Sequence, residues 1–584
     1  MTTRMNIPAG VTTVGLTLLL SGTVFFTPDI FVSRYTTSPE VWLQFALAVG
    51  LFICGLFKKG NIDLPPPGYI MLILVWGCYH LARSYWSFES LVSFLTVMTA
   101  FLVFYWYWKE ISGTCILFGL FVCLGLALSV WGLGQYMGWM PKTYDMFTMT
   151  GPFNNPAGIS SSLALLYPFS LYFCYRSKEI IGRLSILASI LMAVTVILCG
   201  ARAAILAVAI STFIFIIHLL KRKIGISFTA LHYGAMGVTC ILLFTVLYFM
   251  KKDSADGRLL IWHCSGQLVK EAPLFGHGSN GFTANYMTQQ ADYFTRNPES
   301  KFAMLADNTL HPFNEFIKEV VEYGAAGLLL SVVLVVLPLY RSRKDKSPEL
   351  SVVRLSLLSI GICSFFSYPF YYPFIRLVII LLFAYLVVEQ GEVAARGYRV
   401  NYFSKSAIGV ISTFILVITV YQVRIEYAWN RIARTSLSGF TEEMLPSYRE
   451  LYAGSYLKKN ALFLYNYASE LNRTEEYEKS NMVLLECCDY MNDAEVQMLL
   501  ASNFEKLDEL DSAVQSLTLA SRMIPVRFFP LYRLAKLYEK NKECRKAFNI
   551  AEKIIHKEVK IPSMKITVMK NEMKELITKT KPNE

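Results

Sequence analysis

Apolar runs of roughly twenty residues, the length that crosses a bilayer as a helix, recur from the first line of this sequence to about residue 422. They lie near 11–31, 41–57, 68–83, 89–108, 113–133, 157–175, 183–200, 203–220, 232–250, 323–340, 351–368, 374–389 and 406–422. One soluble core cannot hide that much apolar surface. Hydrophobic residues make up 54% of the chain and charged residues 17%, against about 25% charged in ordinary globular proteins. The expectation is an all-α, polytopic membrane protein with about 12–13 transmembrane helices. The first run lacks a strong basic stretch before it and a small-residue cleavage site after it, so it reads as a retained helix.

The short loops set the orientation. With the N-terminus inside, Lys58 and Lys59, Arg176 and Lys178, the KRK at 221–223, the RSRKDK at 341–346, and Arg396 and Arg399 all face the cytoplasm, as the positive-inside rule requires. The same count sends the stretch of about 251–321, and everything after residue 422, to the outer side. Topology and a basic C-terminal region account for the net charge of +12, so no nucleic-acid partner is implied. The twelve cysteines show no zinc-site spacing and mostly lie in apolar runs, where they read as packing residues. Cys264, Cys487, Cys488 and Cys544 do not form a disulfide framework.

After residue 422 the apolar runs stop and a repeat begins. The stretches YASELNRTEEYEKS, LASNFEKLDELDSA and LAKLYEKNKECRKA align so that Ala468, Ala501 and Ala535 match, as do Leu471, Phe504 and Tyr538, and Ser480, Ala513 and Ala547. The interval of about 33 or 34 residues is the tetratricopeptide period, and the three units resemble that family. The resemblance implies stacked helix pairs over 423–584 with a concave surface that binds a protein partner. Residues 1–422 then form the membrane domain.

Polar chemistry clusters at the outer face. In DNTLHPFNEFIKEVVEYGAAGLLL, helical spacing puts His311, Asn314, Glu315, Lys318 and Glu322 on one face and Phe313, Phe316, Ile317, Val320 and Val321 on another. Pro312 in a first helical turn would place His311 at or beside the cap, where the positive dipole end favours a neutral imidazole able to accept a proton. Arg202 follows Gly200 between two apolar runs; read alone, it is a cation snorkelling to lipid headgroups. In residues 256–282, Arg258 and Trp262 fall one helical turn apart before a glycine-rich turn, a pattern that also suits an interfacial helix with an aromatic anchor. In TGPFNNPAGIS, Asn154 and Asn155 either bind a ligand or cap the helix that follows. GHGSNG at 276–281 lacks the ending of a nucleotide loop, and HPFNE lacks the second histidine of a zincin.

The order of these stretches resembles the O-antigen ligase and polymerase superfamily, which includes bacterial protein O-oligosaccharyltransferases. An arginine ends a mid-chain helix on the outer side. GR..IW, P-L-F-G-x-G-x-x-x-F and H-x-x-N-E-F...E-Y-G-x-x-G-L then follow before the chain re-enters the membrane. The resemblance covers about 150–390 and is most specific over 256–328; the displaced asparagine of HPFNEF is closer to the oligosaccharyltransferase branch. It implies a metal-independent glycosyltransferase without cofactor in a bacterial inner membrane. The glycan would move from an undecaprenyl-pyrophosphate carrier to a hydroxyl of lipid A core, polysaccharide, or protein Ser/Thr at the periplasmic face. In that scheme His311 is the general base, Arg202 and Arg258 hold the pyrophosphate, and Asn314, Glu315, Asn154, Asn155 and Trp262 support them. The alternatives are a polysaccharide polymerase of the same superfamily and a transporter or flippase of lipid-linked sugars. The apolar runs carry few charges and show no clear internal repeat, which speaks against a transporter.

Overall fold

The computed structural model describes residues 9–28, 30–32, 37–57, 61–62, 64–110, 114–142, 145–177, 179–223, 237–238, 241–242, 245–390, 398–399 and 402–580. Among these the chain is mostly helical; the strand content among the described residues is a two-residue antiparallel pairing of Asn61 with Arg399 and Ile62 with Tyr398. Twelve of the thirteen expected spans fall on described helices. Eight of these are long and apolar enough to cross a membrane. The span expected at 232–250 lies largely outside the described residues, as do Lys58, Lys59, Lys178 and Arg396 of the basic loops. The chain divides into two compact units. One comprises Met1–Met250, Phe313–Phe316 and Gly327–Glu426, the other Lys251–Pro312, Ile317–Ala326 and Tyr427–Glu584.

The first unit is built around the helix Pro156–Arg176, whose side chains from Gly158 to Tyr172 are all buried. Asn155 starts it: its side-chain oxygen accepts the Ala157 N–H at 2.9 Å, and Pro156 occupies the first helical position, where its missing N–H costs nothing. The helices Thr114–Tyr136, Glu179–Cys199, Arg202–Lys223 and Pro348–Phe366 pack around it. Hydroxyls join these helices: Ser356 to the Leu165 carbonyl at 2.5 Å, Ser189 to Ser170 at 2.8 Å, and Tyr167 with Thr212 at 2.7 Å. On Glu179–Cys199, Ser185, Ala188, Ser189, Met192 and Thr195 are buried, whereas Leu184, Leu187, Ile190, Val194 and Ile197 are exposed. Small and polar groups inside with large apolar groups outside is the pattern of a helix solvated by lipid.

In the second unit the expected outer loop is itself a folded body. Its helices Lys252–Glu271 and Gly281–Arg296 pack together, and Gly281–Arg296 packs on Leu510–Met523. The C-terminal helices form successive pairs: Ala461–Arg473 with Tyr477–Cys488, Ala494–Lys506 with Leu510–Met523, and Phe529–Lys540 with Cys544–His556. Ala468, Ala501 and Ala535 are fully buried, as are Ser480, Ala513 and Ala547. Small side chains at these positions let the paired helices approach. Each pair turns through one left-handed residue, Glu475, Asp508 and Lys542 in turn, so the period appears in the backbone as well as in the core.

Candidate active site

His311 is not helical. The helix begins at Glu315, and its cap is Asn314, a buried residue whose side-chain oxygen accepts the Phe316 N–H at 2.9 Å. Asparagine is a far better cap than histidine, and Phe313 between them takes a left-handed φ of 52°, which no helix tolerates. The single face expected for His311, Asn314 and Glu315 is therefore broken, and His311 is half-buried on an extended segment before the helix.

Within the second unit that segment is held from several sides. Arg258 and Trp262 lie one turn apart on the helix Lys252–Glu271, as their spacing predicts. The Trp262 Nε1–H donates to the Pro312 carbonyl at 2.9 Å. Gln290, buried on Gly281–Arg296, donates from Nε2 to the Asp307 carbonyl at 3.3 Å and to the Met523 carbonyl at 2.6 Å, while its Oε1 accepts the Tyr286 hydroxyl at 2.7 Å. Asn308 Nδ2 donates to Asp493 Oδ2 at 2.7 Å, and Arg527 lies 3.9 Å from Asp307. Sequence reasoning missed Gln290, Asn308 and Asp493. The sequence separations of these contacts, 233 for Gln290–Met523 and 185 for Asn308–Asp493, leave no local signal. Cys264 on the same helix as Trp262 is no nucleophile, since burial pushes its thiol up to about 12.

The glycine motifs have a structural explanation. Gly324 breaks the helix Glu315–Arg341 with a φ of 68°, and the turn 273–278 docks against that break. His277 and Gly278 donate backbone N–H groups to the Val321 and Glu322 carbonyls at 2.8 and 2.7 Å; Ala325 and Ala326 donate back to Pro273 and Leu274 at 2.9 and 3.1 Å. A Cβ on Gly276 would lie 2.6 Å from the Glu322 backbone, and one on Gly324 would lie 2.3 Å from that of Leu274. Two backbones meet where no side chain fits. PLFGHG and EYGAAG are thus two halves of one junction.

The first unit carries the other predicted residues. Asn155 is a helix cap, and Asn154 beside it is exposed. Their loop is fastened by the buried Gln135, whose amide accepts from Thr150 N and Gly151 N at 2.9 and 2.8 Å and donates to the Gly151 and Pro141 carbonyls at 3.1 and 3.2 Å. Arg202 is the first residue of its helix and half-exposed, after a turn through Gly200 at φ 65°. Glu315 accepts the Phe370 N–H at 2.9 Å, and the Phe313 and Phe316 rings rest on Tyr368 and Phe365. Asn314 and Glu315 thereby fix where this helix starts.

A helical multi-pass membrane protein is the class these elements define. Residues 187–332 match the family described as O-antigen ligase. That span takes in Arg202, Arg258, Trp262, His311, Asn314 and Glu315; Asn154 and Asn155 precede it. No curated protein matches the chain. The similarity supports a membrane enzyme of the ligase or polymerase type, acting on a lipid-linked glycan and an acceptor.

Proposed function

We propose that the protein transfers a glycan from an undecaprenyl-pyrophosphate carrier to an acceptor hydroxyl on lipid A core, polysaccharide or protein, at the periplasmic face of a bacterial inner membrane. The observation that carries this reading is the O-antigen ligase match over the stretch that holds Arg202, Arg258 and His311. As the anomeric C–O bond breaks, charge grows on the departing pyrophosphate, and the permanently charged, forked guanidiniums of Arg202 and Arg258 stabilise it. The His311 imidazole takes the acceptor's proton as general base. Trp262, Asn314 and Glu315 keep its segment in place, and Asn154 and Asn155 have supporting roles. The ligase reading is preferred to a polymerase because that is the activity the matching family is described by.

The C-terminal helix pairs are tetratricopeptide-like in this reading. Their period of 33 or 34 residues and their small-residue contacts support it, and their concave surface receives a protein partner. The test of the whole reading is reconstitution: purified protein in vesicles, given labelled lipid-linked glycan and acceptor, forms labelled product. His311→Ala lowers the rate at least about a hundredfold with insertion unchanged. Wild-type transfer by that variant would sink the assignment of the base.

A further inference from the structure

We propose that the C-terminal helices complete the His311 site, with Asp493 as a positioning residue acting through Asn308. This rests on the reading of His311 as the base.

Asp493 is buried and divides its two oxygens between two tasks. Oδ1 accepts the Glu495 and Val496 N–H groups at 3.0 Å each, capping the helix Ala494–Lys506. Oδ2 accepts from Asn308 Nδ2 at 2.7 Å. One rigid carboxylate therefore ties a repeat helix to the segment three residues before His311. Gln290 makes a second tie, since its amide group joins the Asp307 carbonyl to that of Met523. Thr283 ties the helix that carries Gln290 to the same repeat: its hydroxyl donates to the Tyr490 carbonyl at 2.7 Å, and its own carbonyl accepts the Asn492 N–H at 3.2 Å. On the far side, Trp262 holds the Pro312 carbonyl. The segment 307–312 has no helix or strand of its own, so these side chains and carbonyls determine its course. A base delivers its rate only if held within hydrogen-bond reach of the acceptor hydroxyl. Residues remote in sequence thus set where the imidazole stands.

The test uses the full-length protein in vesicles and reads transfer of labelled glycan. In Asn308→Leu a side chain of similar size carries no donor, so the Asp493 cap survives while its tie to the 307–312 segment is lost. The expected result is a kcat at least about tenfold lower with KM for the lipid-linked donor unchanged. Amide exchange should rise over 306–312 and stay at wild-type level over 494–506. The double variant N308D/D493N restores the hydrogen bond with its polarity reversed and should return kcat to within about threefold of wild type. Wild-type kcat in N308L would overturn the proposal, and so would a double variant no more active than N308L. His311→Ala run alongside separates the two readings. An active H311A removes the base from His311, whereas an inactive H311A beside a fully active N308L removes only the positioning role.

Discussion

The indole N–H of Trp262 donates to the carbonyl oxygen of Pro312 at 2.9 Å, so the residue after His311 hangs from the same helix that carries Arg258 one turn earlier. Trp262→Phe keeps most of the ring and loses the donor. A hydrogen bond of this kind contributes about 0.5–1.5 kcal/mol, so the transfer rate should fall roughly threefold to tenfold while the protein still folds. Initial rates in vesicles check this; a fully active Trp262→Ala would show that the tie is idle.

Charge and geometry separate at Arg202 and Arg258. Lysine keeps the charge and loses the planar fork that grips a pyrophosphate at two points. Arg202→Lys and Arg258→Lys should each lose about tenfold or more in kcat/KM for the lipid-linked donor. If either lysine variant matches wild type, that arginine serves the lipid headgroups and not the substrate.

Gly324→Ala should be far more damaging than most single substitutions. It forces a left-handed backbone on an L-residue and drives a methyl to within 2.3 Å of the Leu274 backbone, which gives way only if the junction opens. A loss exceeding about 3 kcal/mol is expected, seen as rapid proteolysis within 251–326. Gly276→Ala should behave alike, because its methyl meets the Glu322 backbone from the other half. Normal protease resistance in both would refute the interlock.

The end of the helical repeat should respond to pH. Burial first, and then the nearby Lys553 ammonium, push the Lys557 ammonium down to about 8, against about 10.4 in an unfolded chain. Between these values the unfolded state binds more protons, so stability rises with pH; below about 8 the penalty is present in full. Its size is roughly 1–3 kcal/mol. The protection factor of amides over 527–580 in the detergent-solubilised protein, which divides out the base-catalysed intrinsic rate, should rise from pH 7.5 to pH 10, and Lys557→Met should flatten the change. A pH-independent wild type would show that the Arg527 carbonyl, which accepts from Lys557 at 2.7 Å, offsets the burial.

Features with a period or a cap were legible in the sequence. Long apolar runs became helices because nothing else of that length buries its backbone polar groups within a bilayer. Ala468, Ala501 and Ala535 announced the repeat because close helix contacts demand small side chains. His311 was misplaced because Pro312 suggested a helix start that Asn314, the stronger cap, moved downstream, with Phe313 left-handed between them. The glycines of PLFGHG and EYGAAG were visible as motifs, but their mutual fit requires knowing that residues 276 and 324 meet. Asp493 could be read as a cap; the duty of its second oxygen could not, since Asn308 lies 185 residues away.

The make-up of the second unit also fixes an order of events during synthesis. Gln290 leaves the ribosome 233 residues before Met523, the carbonyl it needs. At 5–20 residues per second that interval lasts roughly 10–50 s. Throughout it the 251–312 segment lacks the helices that cover it in the finished molecule. A chain interrupted between about residues 437 and 493 would carry His311, Arg258 and the apolar helices and still lack both Asp493 and Met523. A stop codon placed in that interval should therefore lower transfer at least as much as loss of the Asp493 tie does.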